Sequence, residues 1–219
     1  MKVLLGVTGS VATVFVGKLV DALHASGHEV EVVATKSSLY FLDPRVMKVR
    51  VWKDEDEWPD HGQDCDDVDF IPGAYVPNRS FVQYKKGQLI PHIDLRKWAD
   101  VFLVAPLDAN TLAKFSIGLC DNLLTCVFRA WDFDKPVVLA PAMNTFMWHN
   151  PWTEMQMNLL SRLQGSAGGH NVHFVDPQSK VLACGDEGIG AMADISKIVD
   201  TVNKLDKTKT ADSVAPTSK

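Results

Sequence analysis

Five short apolar runs rich in β-branched residues alternate along the chain with amphipathic helical segments, and this alternation restricts the fold more than any single motif. The predicted strands are Lys2–Val7, Glu29–Ala34, Val101–Ala105, Pro136–Ala140 and Val172–Val175. Helical spacing covers Val11 to about His24, Asp121–Ala130, Thr153–Gln164 and Ile195–Leu205, and Gly27 stands where a left-handed cap would close the first helix. Strands apolar on both faces need helices on both sides. The expectation is an α/β, Rossmann-like three-layer α/β/α fold with a doubly wound parallel sheet, in one domain over residues 1–206.

At 219 residues the chain is long enough for one sizeable core. A formal charge of −5 provides no general field for nucleic acid. No run of apolar residues reaches membrane-spanning length, and the opening Met1-Lys2-Val3-Leu4-Leu5 merges into a strand rather than a signal peptide. The expected compartment is therefore the cytoplasm, with Cys65, Cys120, Cys126 and Cys184 as reduced thiols. No cysteine pair has zinc-ligand spacing, and no metal is expected. The acidic cluster Asp54-Glu55-Asp56-Glu57 reads as solvated. From about residue 59 to 90 no period is visible, which predicts a surface insertion, with a small hairpin at Lys85-Lys86-Gly87. The tail, residues 207–219, is expected to be disordered.

In a parallel sheet, ligands bind beyond the carboxyl ends of the strands. The loops there are small and polar: Thr8-Gly9-Ser10-Val11-Ala12, then Thr35-Lys36-Ser37-Ser38, then Asp108-Ala109-Asn110-Thr111. No G-x-G-x-x-G is present. Together the three loops suit a mononucleotide such as FMN, whose one phosphate needs one anion-binding turn. Three further residues each read in two ways. His92, near the start of a short helix, is either a satisfied surface histidine or a general base. Asn144 caps backbone or holds a carboxylate. Cys184, in Ala183-Cys184-Gly185-Asp186-Glu187-Gly188-Ile189-Gly190, is an inert thiol or a reactive one on a mobile surface loop.

The runs His92–Asp100, Ala105–Leu112, Gly118–Thr125, Pro141–Trp148 and Ala183–Ala193 closely resemble the homo-oligomeric flavin-containing cysteine decarboxylases, over about residues 2–58 and 91–203. The resemblance implies a flavodoxin-like flavoprotein fold, FMN as cofactor, and a homotrimer with FMN at a subunit contact. FMN would lie on Gly9, Ser10, Val11, Ala12, Thr35, Lys36, Ser37, Ser38 and Asp108–Thr111, with Ala140 and Met143 nearby. The implied reaction converts phosphopantothenoylcysteine to 4′-phosphopantetheine in coenzyme A synthesis, through transient oxidation at sulfur, loss of CO2 and reduction of an enethiolate. In that scheme His92 is the base, Asn144 grips the substrate carboxylate and Cys184 donates a proton, while Ala183 and Met192 touch the ligand. Two departures from the pattern stand out. The segment before His92 is long, and Val181 stands where relatives carry a basic residue, so that either Lys180 shifts register to meet the substrate phosphate or another residue does. The rival readings are a peptidyl-cysteine decarboxylase and a non-catalytic phosphatase regulator, for which the short, mixed-charge tail gives no indication.

Overall fold

A computed structural model describes residues 1–58, 86–181 and 187–212, which are the described residues below. Six parallel strands, β1 (Lys2–Val7), β2 (Glu29–Ala34), β3 (Val51–Trp52), β4 (Val101–Leu107), β5 (Val137–Pro141) and β6 (Val172–Phe174), form a sheet in the order β3-β2-β1-β4-β5-β6. This is the doubly wound arrangement expected, and its winding direction reverses between β1 and β4. Because successive side chains of a strand face opposite ways, β1 serves two cores at once. Val3, Leu5 and Val7 pack with Leu19, Leu23 and Ile198, from helices α1 (Val16–Ala25) and α8 (Ile195–Asp212). On the other face, Leu4 joins Phe102, Leu112, Phe128 and Leu160. These belong to β4 and to helices α4 (Ala109–Ile117), α5 (Leu123–Arg129) and α7 (Pro151–Leu160). Every residue of β4 is buried, which is why its sequence shows no polar alternation.

The elements missed or misplaced in the sequence have local causes. Residues 11–15 form a 3-10 turn and α1 begins only at Val16. The Thr13 hydroxyl donates to the Thr8 carbonyl at 2.8 Å, which tightens this turn. Gly27 has φ +82°, the left-handed conformation expected of it. Strand β3 is two residues long, too short for a period to show. Where the sequence shows only a polar loop, helix α4 begins, and Asp108 caps it by accepting the Thr111 N–H at 2.7 Å. Helix α8 continues to Asp212, past the expected start of the disordered tail; neither proline nor glycine occurs in it. The rest of that tail, and all but the end of the 59–90 insertion, lie outside the described residues; Gly87 forms a turn with φ +96°.

The expected loop before Met192 is half strand. β7 (Gln178–Val181) and β8 (Glu187–Ala191) form an antiparallel hairpin. Its glycines concealed the strand, because backbone pairing needs no side-chain pattern. The hairpin is joined to the end of β5, where the Met143 N–H donates to the Gly190 carbonyl at 2.9 Å.

Leu103 is fully buried at the centre of the sheet. Leu103→Ala is expected to lower unfolding stability by about 2–5 kcal/mol in urea titration. A loss below about 1 kcal/mol would mean this core collapses around the gap.

Candidate active site

At the carboxyl ends of β1, β4 and β5 the sheet opens into a cavity of about 1020 Å³. The Thr8 hydroxyl joins the two central strand ends, donating to Pro106 O at 2.8 Å and accepting the Asp108 N–H at 2.7 Å. Asp108 returns the connection, accepting the Gly9 N–H at 3.0 Å through Oδ2. Its carboxylate is thus committed to backbone on both sides of the crevice. Gly9, Ser10, Val11 and Ala12 line one wall, and Asp108, Ala109 and Asn110 line the next. Ser37 is exposed and does not line the cavity, but it stands close to the first wall: a Cβ at Gly9 would lie 2.6 Å from its hydroxyl oxygen.

Other expected cofactor positions do not line the cavity. Ser38 is buried and donates its hydroxyl to Thr35 O at 2.7 Å. Thr35 is itself buried, with its Oγ1 3.2 Å from that of Ser37, while Lys36 points to solvent. Thr111 is buried one turn into α4, and Ala140 is fully buried within β5.

The floor is made where β5 ends. Met143 and Asn144 line it, with Met192 opposite. The Asn144 Oδ1 accepts the Phe146 N–H at 2.8 Å, capping the short helix α6 (Thr145–Trp148) and fixing the plane of the amide. Of the two sequence readings of Asn144, this is the backbone cap. Lys180 lines the rim and donates to Asp194 at 3.2 Å. Hydrogen bonds from Gln178 and Lys180 hold the Asp194 carboxyl below the usual carboxylate range. Lys18, Gln178 and Phe15 also line the cavity and went unnoticed in the sequence. Lys18 follows Phe15 by three residues, which puts the two side by side, the ammonium 5.9 Å from the centre of the ring. Ala183 and Cys184 lie outside the described residues, in the connection between β7 and β8.

His92 does not line this cavity. It is the second residue of α3 (Pro91–Trp98), and its Nδ1 lies 2.6 Å from Glu57 Oε1. Glu57 closes α2 (Asp54–Glu57), so the acidic cluster is not simply solvated. The Glu57 side chain is only 7% exposed. Asp54 accepts the Leu123 N–H at 2.8 Å at the start of α5, and burial pushes its carboxyl up. The sequence signal for these contacts was weak, because the partners are 35 and 69 residues away. Among the described residues no group of histidine, cysteine or acidic side chains is arranged to hold a metal ion.

The flavoprotein family profile matches residues 1–206. A phosphopantothenoylcysteine decarboxylase of Arabidopsis thaliana is 44% identical over 203 residues, covering 92% of this chain and 83% of the relative. The mouse (Mus musculus) protein of the same name is 43% identical, covering 93% and 86%. Among solved structures, a PPC decarboxylase mutant complexed with pantothenoylaminoethenethiol superposes with a TM-score of 0.76 at 42% identity, covering 94% of this chain and 98% of its own. The FMN binding protein AtHal3 superposes with a TM-score of 0.74 at 42% identity, covering 94% and 97%.

Two outcomes are expected here. Gly190 has φ +140°, and a Cβ there would lie 2.2 Å from Met143 O. Gly190→Ala should therefore cost about 1–3 kcal/mol in urea titration; an unchanged midpoint would mean that the hairpin is not held to β5 as described. Burial above all, with Cys120 and Glu57 nearby, pushes the Cys126 thiol from 9.0 up to about 11. The unfolded chain therefore releases this proton first, and stability should fall as pH rises from about 9 to about 11. Urea midpoints at both ends of that window should drop further for the natural chain than for Cys126→Ala, and equal drops would remove Cys126 as the cause.

Proposed function

The chain belongs to the flavoprotein family, and on that premise we propose that it is an FMN-dependent decarboxylase converting phosphopantothenoylcysteine to 4′-phosphopantetheine. The observation that carries this reading is one cavity bringing together the Gly9–Ala12 turn, the Asn144 amide and the Lys180 ammonium. The relatives at 43–44% identity bear the corresponding name.

The residues present fit FMN. The close approach of Gly9 and Ser37 leaves a concave turn that a side chain at residue 9 would fill. The hydroxyl of Ser10 and the amide of Asn110 are suited to a phosphate and ribityl chain, and Ala142 and Met143 offer an apolar surface to a flat ring. When bound, FMN supplies reversible two-electron chemistry at the sulfur end of the substrate. Asn144, its Oδ1 fixed by Phe146, presents its NH2 side to the substrate carboxylate and orients it for departure as CO2. Lys180 keeps Asp194 with one of three N–H bonds and has others to offer the substrate phosphate. His92 takes up the proton released as the thiol end is oxidised, and Cys184 returns one to the enethiolate.

Because His92 lies away from the cavity of its own chain, the reading includes a homotrimer, in which one copy's His92 completes a neighbouring cavity. Exposed apolar side chains at Phe146, Trp152, Met155 and Leu159 give such a contact a surface to bury.

Incubation with phosphopantothenoylcysteine should yield 4′-phosphopantetheine, followed by mass spectrometry. Asn144→Asp places a like charge against the substrate carboxylate, and kcat/KM should fall by about 100-fold, or ~2.7 kcal/mol. An FMN-loaded protein that leaves this substrate intact would overturn the reading.

A further inference from the structure

Glu57 contacts His92 through both carboxylate oxygens, and each contact does something different. Oε2 accepts the His92 backbone N–H at 2.9 Å. That N–H is in the first turn of α3 and has no partner within the helix. Oε1 meets the ring Nδ1 at 2.6 Å. Capping the helix needs only the first contact; the second fixes the imidazole. The side chain making both is 7% exposed, whereas the histidine ring is 27% exposed. Glu57 is thus a screened carboxylate behind a partly open imidazole.

A carboxylate only accepts hydrogen bonds, so Nδ1 carries the hydrogen of this pair. In the neutral ring that makes Nε2 the lone-pair nitrogen. The two-point contact also limits rotation of the ring, since Oε1 cannot follow Nδ1 while Oε2 stays on the backbone. Once Nε2 has taken a proton, the same carboxylate faces the resulting imidazolium at hydrogen-bond distance.

We propose that Glu57 is the positioning residue for His92, holding the imidazole with hydrogen on Nδ1 so that Nε2 is the nitrogen that accepts a proton. This rests on the reading of His92 as the base in cysteine decarboxylation. Helix α2 then serves the site as the support of a base carried on α3. The step it assists moves one proton from substrate to Nε2.

The test uses the FMN-loaded full chain. Glu57→Gln keeps the shape but offers a single acceptor oxygen to two N–H donors, so the ring is expected to turn over or change tautomer. kcat should fall ~10–100-fold while KM stays within about threefold. Glu57→Asp restores the acceptor on a shorter arm and should recover part of kcat; it also serves if the amide variant does not fold. A purely structural cap would instead lower the urea midpoint in Glu57→Gln with the His92 tautomer unchanged. Nitrogen NMR of histidine-labelled protein gives a readout independent of turnover, with the His92 signals identified by their loss in His92→Asn. Protonated Nδ1 and bare Nε2 in the natural chain, lost in Glu57→Gln, is the expected pattern. The opposite tautomer in the natural chain, or an unchanged kcat in Glu57→Gln beside an inactive His92→Asn, would overturn the proposal and leave the decarboxylase reading standing. If the natural chain does not turn over the substrate, that reading fails, and the tautomer measurement alone decides whether Glu57 sets the imidazole.

Discussion

One buried hydroxyl, that of Thr8, donates to the carbonyl of Pro106 and accepts the N–H of Asp108, tying the ends of β1 and β4 together. These strands are covered by helices on both faces, so they have no solvated surface on which to display polar chemistry. Polar groups can be presented only where the strands stop. Thr8 decides where that is, and Asp108 reinforces it by holding Gly9 and Thr111 from opposite sides of the gap. The cavity, the placement of Ser10 and Asn110, and the start of α4 all follow from this small polar knot inside an apolar sheet.

The sheet was legible in the sequence because burial on both faces leaves continuous apolar runs, as at Lys2–Val7 and Glu29–Ala34. The Gly9–Ala12 turn, Asn110, Met143 and Asn144 were legible for a related reason: they immediately follow those runs, and topology brings strand ends together. Burial of individual loop residues was not legible. Ser38 and Thr111 have the same polar character as Ser10 and Asn110, and only the path of the backbone turns their side chains inward.

The acidic segment makes the opposite point. Four consecutive carboxylates read most naturally as a solvated face, since burying charge is costly without partners. Here the partners are supplied by other helices. Asp54 receives an N–H from the start of α5, and Glu57 receives one from the start of α3. Helix starts carry unpaired donors and a partial positive charge, so each carboxylate gains a donor, although at Asp54 burial outweighs it. A sequence window records charge but not which distant helix begins beside it, and this is why Glu57 escaped notice while His92 did not.

Gly190 O receives the N–H of Met143, so the β7–β8 hairpin is fastened to the segment that carries Asn144. A lid swinging freely would separate the groups it brings to the ligand from those on the floor. Here the floor and the base of the hairpin share a backbone bond, and displacement of one strains the other. The base of the hairpin is better understood as a raised continuation of the β5 exit than as a door.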